Sequence, residues 1–207
     1  MILAASLKRL FDTLKVAHRC FQHKKVERLE QVALLLKTDP ANFLTAQVLE
    51  DELGLVLVVY RLTTKINITT LQGLLHRDLT VVATTKVNRL FQACDAGCWP
   101  PIGQAYGLDV ILDKSIEHQA TVYFSSGSRT TTVQMQTDDF LYLNTRAKIL
   151  SFTQESSITE ILANQTIPDS ASILHNLSLP DLPPIALKIL QLSVNSDYSA
   201  KELADIV

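Results

Sequence analysis

The sequence predicts an α/β protein, and two observations support this fold class. Segments with helical spacing of apolar residues alternate with short runs of β-branched residues through the first three quarters of the chain. The chain has 207 residues, of which 47% are apolar, so it can bury a sizeable core instead of remaining disordered. The formal net charge of -2 argues against nonspecific nucleic-acid binding as its main role.

Elements of the first half follow from apolar spacing. In residues 2–14 and 26–37 the apolar side chains recur on one helical face, and Asp39-Pro40 ends the second helix because proline disfavours helix at the preceding residue. Glu50 to Gly54 joins two β-branched runs and predicts a hairpin. The predicted elements are, in order, helix 2–14, strand 15–21, helix 26–37, strands 43–49 and 55–60, helix 68–75, strand 79–83, and helix 85–92 with a threonine cap.

A loop separates the two halves. Residues 96–107 break all periodicity because they contain several glycines and prolines, which predicts a loop of defined shape. The predicted elements after it are strands 109–112, 121–125 and 130–136, a turn at 126–128, a helix over 140–144 capped by residues 137–139, and a strand within 147–152.

The segment Gly97-Cys98-Trp99-Pro100-Pro101-Ile102-Gly103 is the first candidate site. Glycine lets a ligand approach the backbone, and proline fixes the loop's shape. Exposed N–H groups in such a loop can bind a carbonyl or a carboxylate. The alternative is a rigid crossover from helix to strand with no ligand.

Further residues, taken in order with this loop, resemble those of a known family. They are Asp113 with Ser115 at a strand end, the stretch Tyr123 to Arg129 around Gly127, and Thr137-Asp138-Asp139-Phe140. Over residues 5–150 the sequence resembles the YbaK/prolyl-tRNA editing (aminoacyl-tRNA deacylase) family. The ordered set is more specific than any single motif.

The resemblance implies a mixed, curved β-sheet surrounded by helices. It also implies hydrolysis of the ester between a mischarged amino acid and tRNA, with no cofactor and no metal. Water, helped by the ribose hydroxyl of the substrate, is the expected nucleophile. The residues expected to bind substrate are Gly97, Pro101, Gly103, Asp113 and Gly127.

One position departs from the family pattern. The family has a functional lysine on an early strand, and the matching position here is Gln47. An amide donates a hydrogen bond but carries no charge. Losing a charge-assisted contact removes a few kcal/mol of transition-state binding, so we expect weak or lost hydrolysis.

The C-terminal part has a resemblance of its own. We expect an editing-like domain over residues 1–152, a linker over 153–178 and a short helical segment over 179–207. Leu179 to Leu190 and Ser199 to Val207 resemble the opening of an HDOD domain, an all-helical module of bacterial signalling proteins. We therefore expect the natural protein to continue beyond Val207, with a downstream HDOD domain as partner and an oligomer possible through the C-terminal helices.

Cysteine usage and hydropathy indicate the compartment. Three cysteines without a signal peptide, and no apolar run long enough to span a membrane, predict a cytoplasmic protein. Cys98 could act as a nucleophile only beside a base, and the alternative is an inert thiol. The basic cluster, which comprises His18, His23, Lys24, Lys25 and Arg28, could contact tRNA phosphate or simply be a solvated face.

Two functions lead from the sequence, ahead of a third option, a purely structural interaction domain. The first is an editing-type deacylase whose partner is aminoacyl-tRNA. The second is a non-catalytic module in which the same pocket binds an amino-acid-like ligand and regulates the HDOD domain. Trp99 either stacks on that ligand or anchors the loop in the core.

Overall fold

The computed structural model describes residues 3–156, which form a mixed α/β fold as predicted. The described helices are α1 Ala5–Leu14, α2 Leu29–Leu35, α3 Ile68–Leu75, α4 Thr84–Leu90 and α5 Thr137–Leu143. The described strands are β1 Arg19–Gln22, β2 Leu44–Asp51, β3 Gly54–Arg61, β4 Thr64–Ile66, β5 Thr80–Val81, β6 Asp109–Asp113, β7 Thr121–Ser128, β8 Thr131–Gln136, β9 Lys148–Leu150 and β10 Thr153–Glu155.

The largest sheet has five strands in the order β5-β2-β3-β6-β9. β2 and β3 form the predicted hairpin, while β6 runs parallel to β3 and to β9, so the sheet is mixed. A three-stranded antiparallel sheet has the order β1-β8-β7, and β4 pairs with β10. A parallel bridge from Phe43 to Tyr123 connects the start of β2 with β7.

Side-chain alternation divides the core between the two faces of the large sheet. Leu44 and Val48 of β2 belong to a first cluster, together with Leu7 and Phe11 of α1. On the opposite face, Leu49 joins a second cluster. Successive side chains of a strand point to opposite faces, and β2 follows this rule. The other members of the second cluster are Val56, Val58, Leu71, Leu79, Ile111 and Phe152.

Three local predictions were wrong. The turn expected at residues 126–128 lies at 129–130, because β7 continues to Ser128 through an irregularity between Ser125 and Ser128. There the Ser126 hydroxyl donates to the Thr131 carbonyl, which holds the segment against β8. The N-cap residue of α4 is Ala83, without a side-chain cap, so the predicted threonine cap is absent. At α5 the N-cap is Gln136, also without a side-chain bond.

The described part of the chain ends just after β10. Residues 153–155, which the sequence analysis placed in the linker, pair with β4. The predicted remainder of the linker and the HDOD-like segment lie outside the described residues. Among the described helices, none has the length and apolar character needed to cross a bilayer.

Candidate functional site

A small open cleft lies between α2, the start of the glycine-proline loop and the β7–β8 hairpin. Its enclosed part has a volume of about 40 Å³, and the cleft opens from there to solvent. The apolar wall comprises Val26, Leu29 and Val32. The remaining lining residues are His23, Glu27, Arg28, Gly97, Cys98, Ser125, Ser128, Arg129, Thr131 and Thr132.

Gly97 lines this cleft, and the space beside its Cα is open. Its φ of 82° lies in the left-handed region, and a Cβ placed there would meet nothing within 4 Å. The residue is exposed, and its N–H has no hydrogen-bond partner within the described part of the chain. Packing against protein therefore does not explain this glycine, whereas its backbone conformation and the adjacent space leave room for a ligand.

Hydrogen bonds fix the loop on both sides of Gly97. The N–H of Cys98 donates to the Asp95 carbonyl at 2.9 Å, and the N–H of Asp95 donates to the Gly127 carbonyl at 2.8 Å. The Ser125 hydroxyl donates to the Cys98 carbonyl at 3.2 Å. The unpaired N–H of Gly97 is thus held in a preorganised loop.

Arg129 connects the three walls of the cleft. Its guanidinium pairs with Glu27 on the α2 side and donates to the Ala96 carbonyl at 3.2 Å on the loop side. The backbone N–H of Arg129 donates to Asp95 Oδ2 at 2.8 Å. Arg129 therefore lies in the cleft as a positioned cation.

His23 lies on the β8 side of the cleft. Its Nδ1 is 2.8 Å from the Lys24 carbonyl, which can only accept, so Nδ1 carries the proton. In the neutral ring Nε2 then accepts from the Thr132 hydroxyl, 3.1 Å away. Both ring nitrogens are engaged, which holds the ring in one orientation.

The cleft thiol is not activated. Burial raises the pKa of Cys98 and outweighs the hydrogen bond with Ser125, which lowers it. Because the thiolate is the nucleophilic form, a raised pKa keeps Cys98 as an inert thiol at neutral pH. Burial likewise raises the pKa of Cys94, whose Sγ lies 3.4 Å from the Tyr106 hydroxyl.

Gln47, the position that matches the functional lysine of the family, does not face the glycine-proline loop across this cleft. It pairs with Val58, and directly opposed residues of a ladder share a face. Val58 packs in the second core cluster, whereas Trp99 and Ile102 of the loop pack in the first. Gln47 does not line the cleft.

Pro101 and Gly103 are buried supports of the loop and do not line the cleft. A Cβ at Gly103 would lie 2.3 Å from Val110 Cγ2 and 2.4 Å from the Leu108 carbonyl oxygen. Gly103 therefore allows the loop to pack tightly against β6. In the residues described, contact with protein accounts for both positions.

Asp113 and Gly127 also have structural partners. Asp113 is 3% exposed, and its Oδ1 accepts from the N–H and the hydroxyl of Ser115. Its Oδ2 accepts from the N–H groups of Phe152 and Thr153, both at 3.1 Å. A Cβ at Gly127 would lie 2.9 Å from Cys94 Sγ.

Trp99 anchors the loop in the core. Its indole N–H donates to Asn88 Oδ1 at 3.3 Å, and its ring centroid lies 6.1 Å from that of Phe91. It does not line the cleft. Among residues 3–156, no group of three or more His, Cys, Asp or Glu side chains could hold a metal ion.

Of the residues expected to bind substrate, Gly97 is thus the one that lines the cleft, and that set missed several other lining residues. Glu27 and Arg129 lie 102 positions apart, so no local pattern could pair them. The basic cluster was a usable signal, because His23 and Arg28 both line the cleft.

The family of the chain follows from its sequence. The family model for the aminoacyl-tRNA editing domain matches residues 23–143, which is more than half of the chain. These residues include α2, the glycine-proline loop and the β7–β8 hairpin. The chain therefore belongs to the aminoacyl-tRNA editing domain family. No curated protein matches the chain significantly in sequence.

Solved structures share this fold at low sequence identity. A structure described as a candidate trans-editing enzyme for prolyl-tRNA synthetase has a TM-score of 0.63 and 16% identity, covering 73% of this chain and 99% of its own. A protein from work on computational epitope grafting has a TM-score of 0.66 and 16% identity, covering 73% and 97%.

A longer protein also shares the fold. A candidate signal transduction protein from Marinobacter aquaeolei has a TM-score of 0.62 and 19% identity. The match covers 99% of this chain but only 46% of that protein. This chain therefore corresponds to less than half of that protein.

Proposed function

We propose that this editing-like domain binds the aminoacylated end of a tRNA in the cleft and hydrolyses its ester weakly or not at all. The observation that carries the proposal is Gly97, which combines a left-handed φ, open space on its Cα and an unpaired N–H within the described residues. A preorganised N–H suits the ester carbonyl, whose oxygen becomes more negative as water attacks.

The residues that line the described cleft favour slow hydrolysis of the ester. Its thiol is inert, because burial raises the pKa of Cys98. The cleft contains no ammonium group, and the cationic Arg129 is already engaged by Glu27. Water attack would then depend on a hydroxyl of the substrate and on the Gly97 N–H. Removing one such stabilising interaction costs about a hundredfold or more in rate.

The basic cluster supports a nucleic-acid partner. Arg28 lines the cleft, and the neighbouring Lys24 and Lys25 are exposed. Cations at the mouth of a cleft suit the phosphates of an acceptor strand, although each contributes modestly and is screened by salt. This arrangement favours aminoacyl-tRNA over a substrate without phosphate.

Release of the amino acid from charged tRNA tests the proposal. The full chain is incubated with tRNA charged with alanine, serine, proline or cysteine, and ester loss is compared with the uncatalysed rate. We expect slow release at most, reduced further by Gly97→Ala. Fast release that is insensitive to Gly97→Ala would contradict the proposed site.

The second candidate is a ligand-sensing module that regulates an attached HDOD domain. The fold likeness to a candidate signal transduction protein over almost all of this chain favours it. Absence of hydrolysis, together with thermal stabilisation by a free amino acid, would support it. The assignment of residues 179–207 to an HDOD domain remains a prediction, as do the cytoplasmic location, a bacterial origin and oligomerisation.

A further inference from the structure

We propose that Arg129 is the anchor for an anionic group of the ligand, and that the carboxylate of Glu27 occupies this place when no ligand is bound. The inference deepens the proposed function and rests on the cleft being the ligand site. The shared chemistry is an oxyanion. Its source is either the 5′ phosphate of the terminal nucleotide or the carboxylate of a free amino acid.

Arg129 is built to bind an anion. Its backbone is fixed by the hydrogen bond to Asp95, and its Nη2 donates to the Ala96 carbonyl. The guanidinium has five N–H donors in a planar fork, and its contacts with Ala96 and Glu27 leave others without a partner in the described residues. A planar fork matches carboxylate and phosphate geometry.

Glu27 is a displaceable partner. Its side chain is 64% exposed, whereas that of Arg129 is 27% exposed. Ion pairs with an exposed partner contribute little to stability, so a ligand anion displaces the Glu27 carboxylate at a low cost in free energy. Arg28 is the second cation in the cleft, and it has no ion-pair partner within the described residues. Its positive charge favours an anionic ligand over a neutral one.

The location links the anion to the proposed reaction site. Arg129 donates to the carbonyl of Ala96, which shares its peptide bond with the N–H of Gly97. An anion on the guanidinium would therefore lie within a few atoms of the group proposed to bind the ester. The cleft then holds the aminoacyl group beside Gly97 and the anion beside Arg129.

Two substitutions with opposite effects test the inference. Glu27→Gln removes the competing carboxylate, and we expect about two- to fivefold tighter binding of the anionic ligand. Arg129→Gln removes the charged donor, and we expect binding about ten- to a hundredfold weaker. If the pair were only structural, both substitutions would shift affinity in the same direction or not at all.

The probes separate the two sources of the anion. The first is adenosine 5′-monophosphate carrying a 3′-alanylamide, which cannot be hydrolysed as an ester, and its control is the same nucleoside without the phosphate. The second is L-alanine. Affinities are measured by titration calorimetry on the full chain and both variants, and thermal unfolding confirms that each variant is folded. Arg129→Lys, which keeps the charge, serves if Arg129→Gln does not fold.

Each outcome decides the proposal. Opposite shifts for the phosphorylated probe, with none for its nucleoside, support a phosphate anchor, and opposite shifts for L-alanine support a carboxylate anchor. Equal binding with and without phosphate, unchanged in Arg129→Gln, overturns the anchor but leaves the proposed function standing. Inorganic phosphate is titrated as a third probe, and opposite shifts for it with no gain from the aminoacyl group support the anchor and contradict the proposed function. Absence of binding by every probe overturns both.

Discussion

Gln47 lies directly opposite Val58 in the β2–β3 ladder, and this pairing places its amide on the face of the second core cluster. Thr45, two residues earlier on β2, pairs with Tyr60, whose side chain packs against the same cluster. Thr45 and Gln47 therefore share a face of the large sheet, and neither lines the cleft.

The first prediction concerns this register. We expect Gln47→Lys to leave the rate of ester release from charged tRNA within about twofold of that of the unmodified chain, because an ammonium on the face of the second cluster does not reach the cleft to stabilise developing negative charge. The matched variant Thr45→Lys, on the same face of β2, should leave the rate equally unchanged. Rescue by Gln47→Lys alone would restore the original assignment of the functional lysine to position 47.

The second prediction concerns Asp113, which the sequence analysis placed in the substrate site. We expect Asp113→Ala to lower the free energy of unfolding by about 2 to 4 kcal/mol, because it leaves the buried N–H of Phe152 and the half-buried N–H of Thr153 unpaired. Ligand affinity should change little in protein that remains folded. Urea unfolding measures the first effect, and calorimetric titration measures the second.

Asp109→Ala is the control for this loss, since Asp109 is an exposed carboxylate on the same strand. It should change stability by about 0.5 kcal/mol or less. A large loss of ligand affinity in Asp113→Ala protein that remains stably folded would show that Asp113 contributes to ligand binding.

The third prediction concerns Gly103, the buried glycine of the loop. We expect Gly103→Ala to lower the free energy of unfolding by about 1 to 3 kcal/mol or more, because its Cβ overlaps Val110 and backbone atoms of Leu108. Gly73→Ala is the control, since Gly73 lies inside α3 with open space around it and should gain about 0.5 to 1 kcal/mol. Thermal unfolding of both variants tests whether Gly103→Ala is the less stable of the two. Equal stabilities would contradict the packing described.

The fourth prediction follows from the raised pKa of Cys98. Burial favours the neutral thiol in the folded protein, so its contribution to stability is present at neutral pH and is lost as pH rises through the folded-state pKa. We expect slow alkylation of Cys98 by iodoacetamide near pH 7, with a steep increase only in the alkaline range. Mass spectrometry identifies the modified cysteine.

Cys98→Ser supplies the functional half of this test. Any ester release should persist in the variant at about the unmodified rate, because the thiol is not the nucleophile. Complete loss of release in folded Cys98→Ser protein, or fast alkylation at neutral pH, would require an activated thiolate.

The sequence predicted the elements better than the site. Apolar spacing located α1, α3 and the β2–β3 hairpin, because each depends on neighbours in the chain. β4 and β10 were missed, since each has three residues with little apolar signal and is stabilised by pairing with a distant partner. Turn residues predicted a turn at 126–128, but the pairing of β7 with β8 overrode this local preference.

Sequence reasoning found only part of the candidate site, again because it detects local patterns and not contacts between distant segments. Gly97 was identified because a left-handed glycine in a loop that contains prolines has a recognisable local sequence pattern. The pairing of Glu27 with Arg129 joins segments far apart in sequence, and the buried contacts of Asp113 to Phe152 and Thr153 do so too. Such contacts depend on the folded chain, so composition and spacing could not reveal them.

The most direct measurement is a titration of the alanylamide analogue of adenosine 5′-monophosphate, followed by the fluorescence of Trp99, the single tryptophan of the chain. Gly97→Ala and Gly54→Ala are compared, since both glycines have positive φ and open space, but only Gly97 lines the cleft. We predict about tenfold or greater loss of affinity for Gly97→Ala and almost none for Gly54→Ala. Equal affinities in the two folded variants would contradict the placement of the ligand beside Gly97.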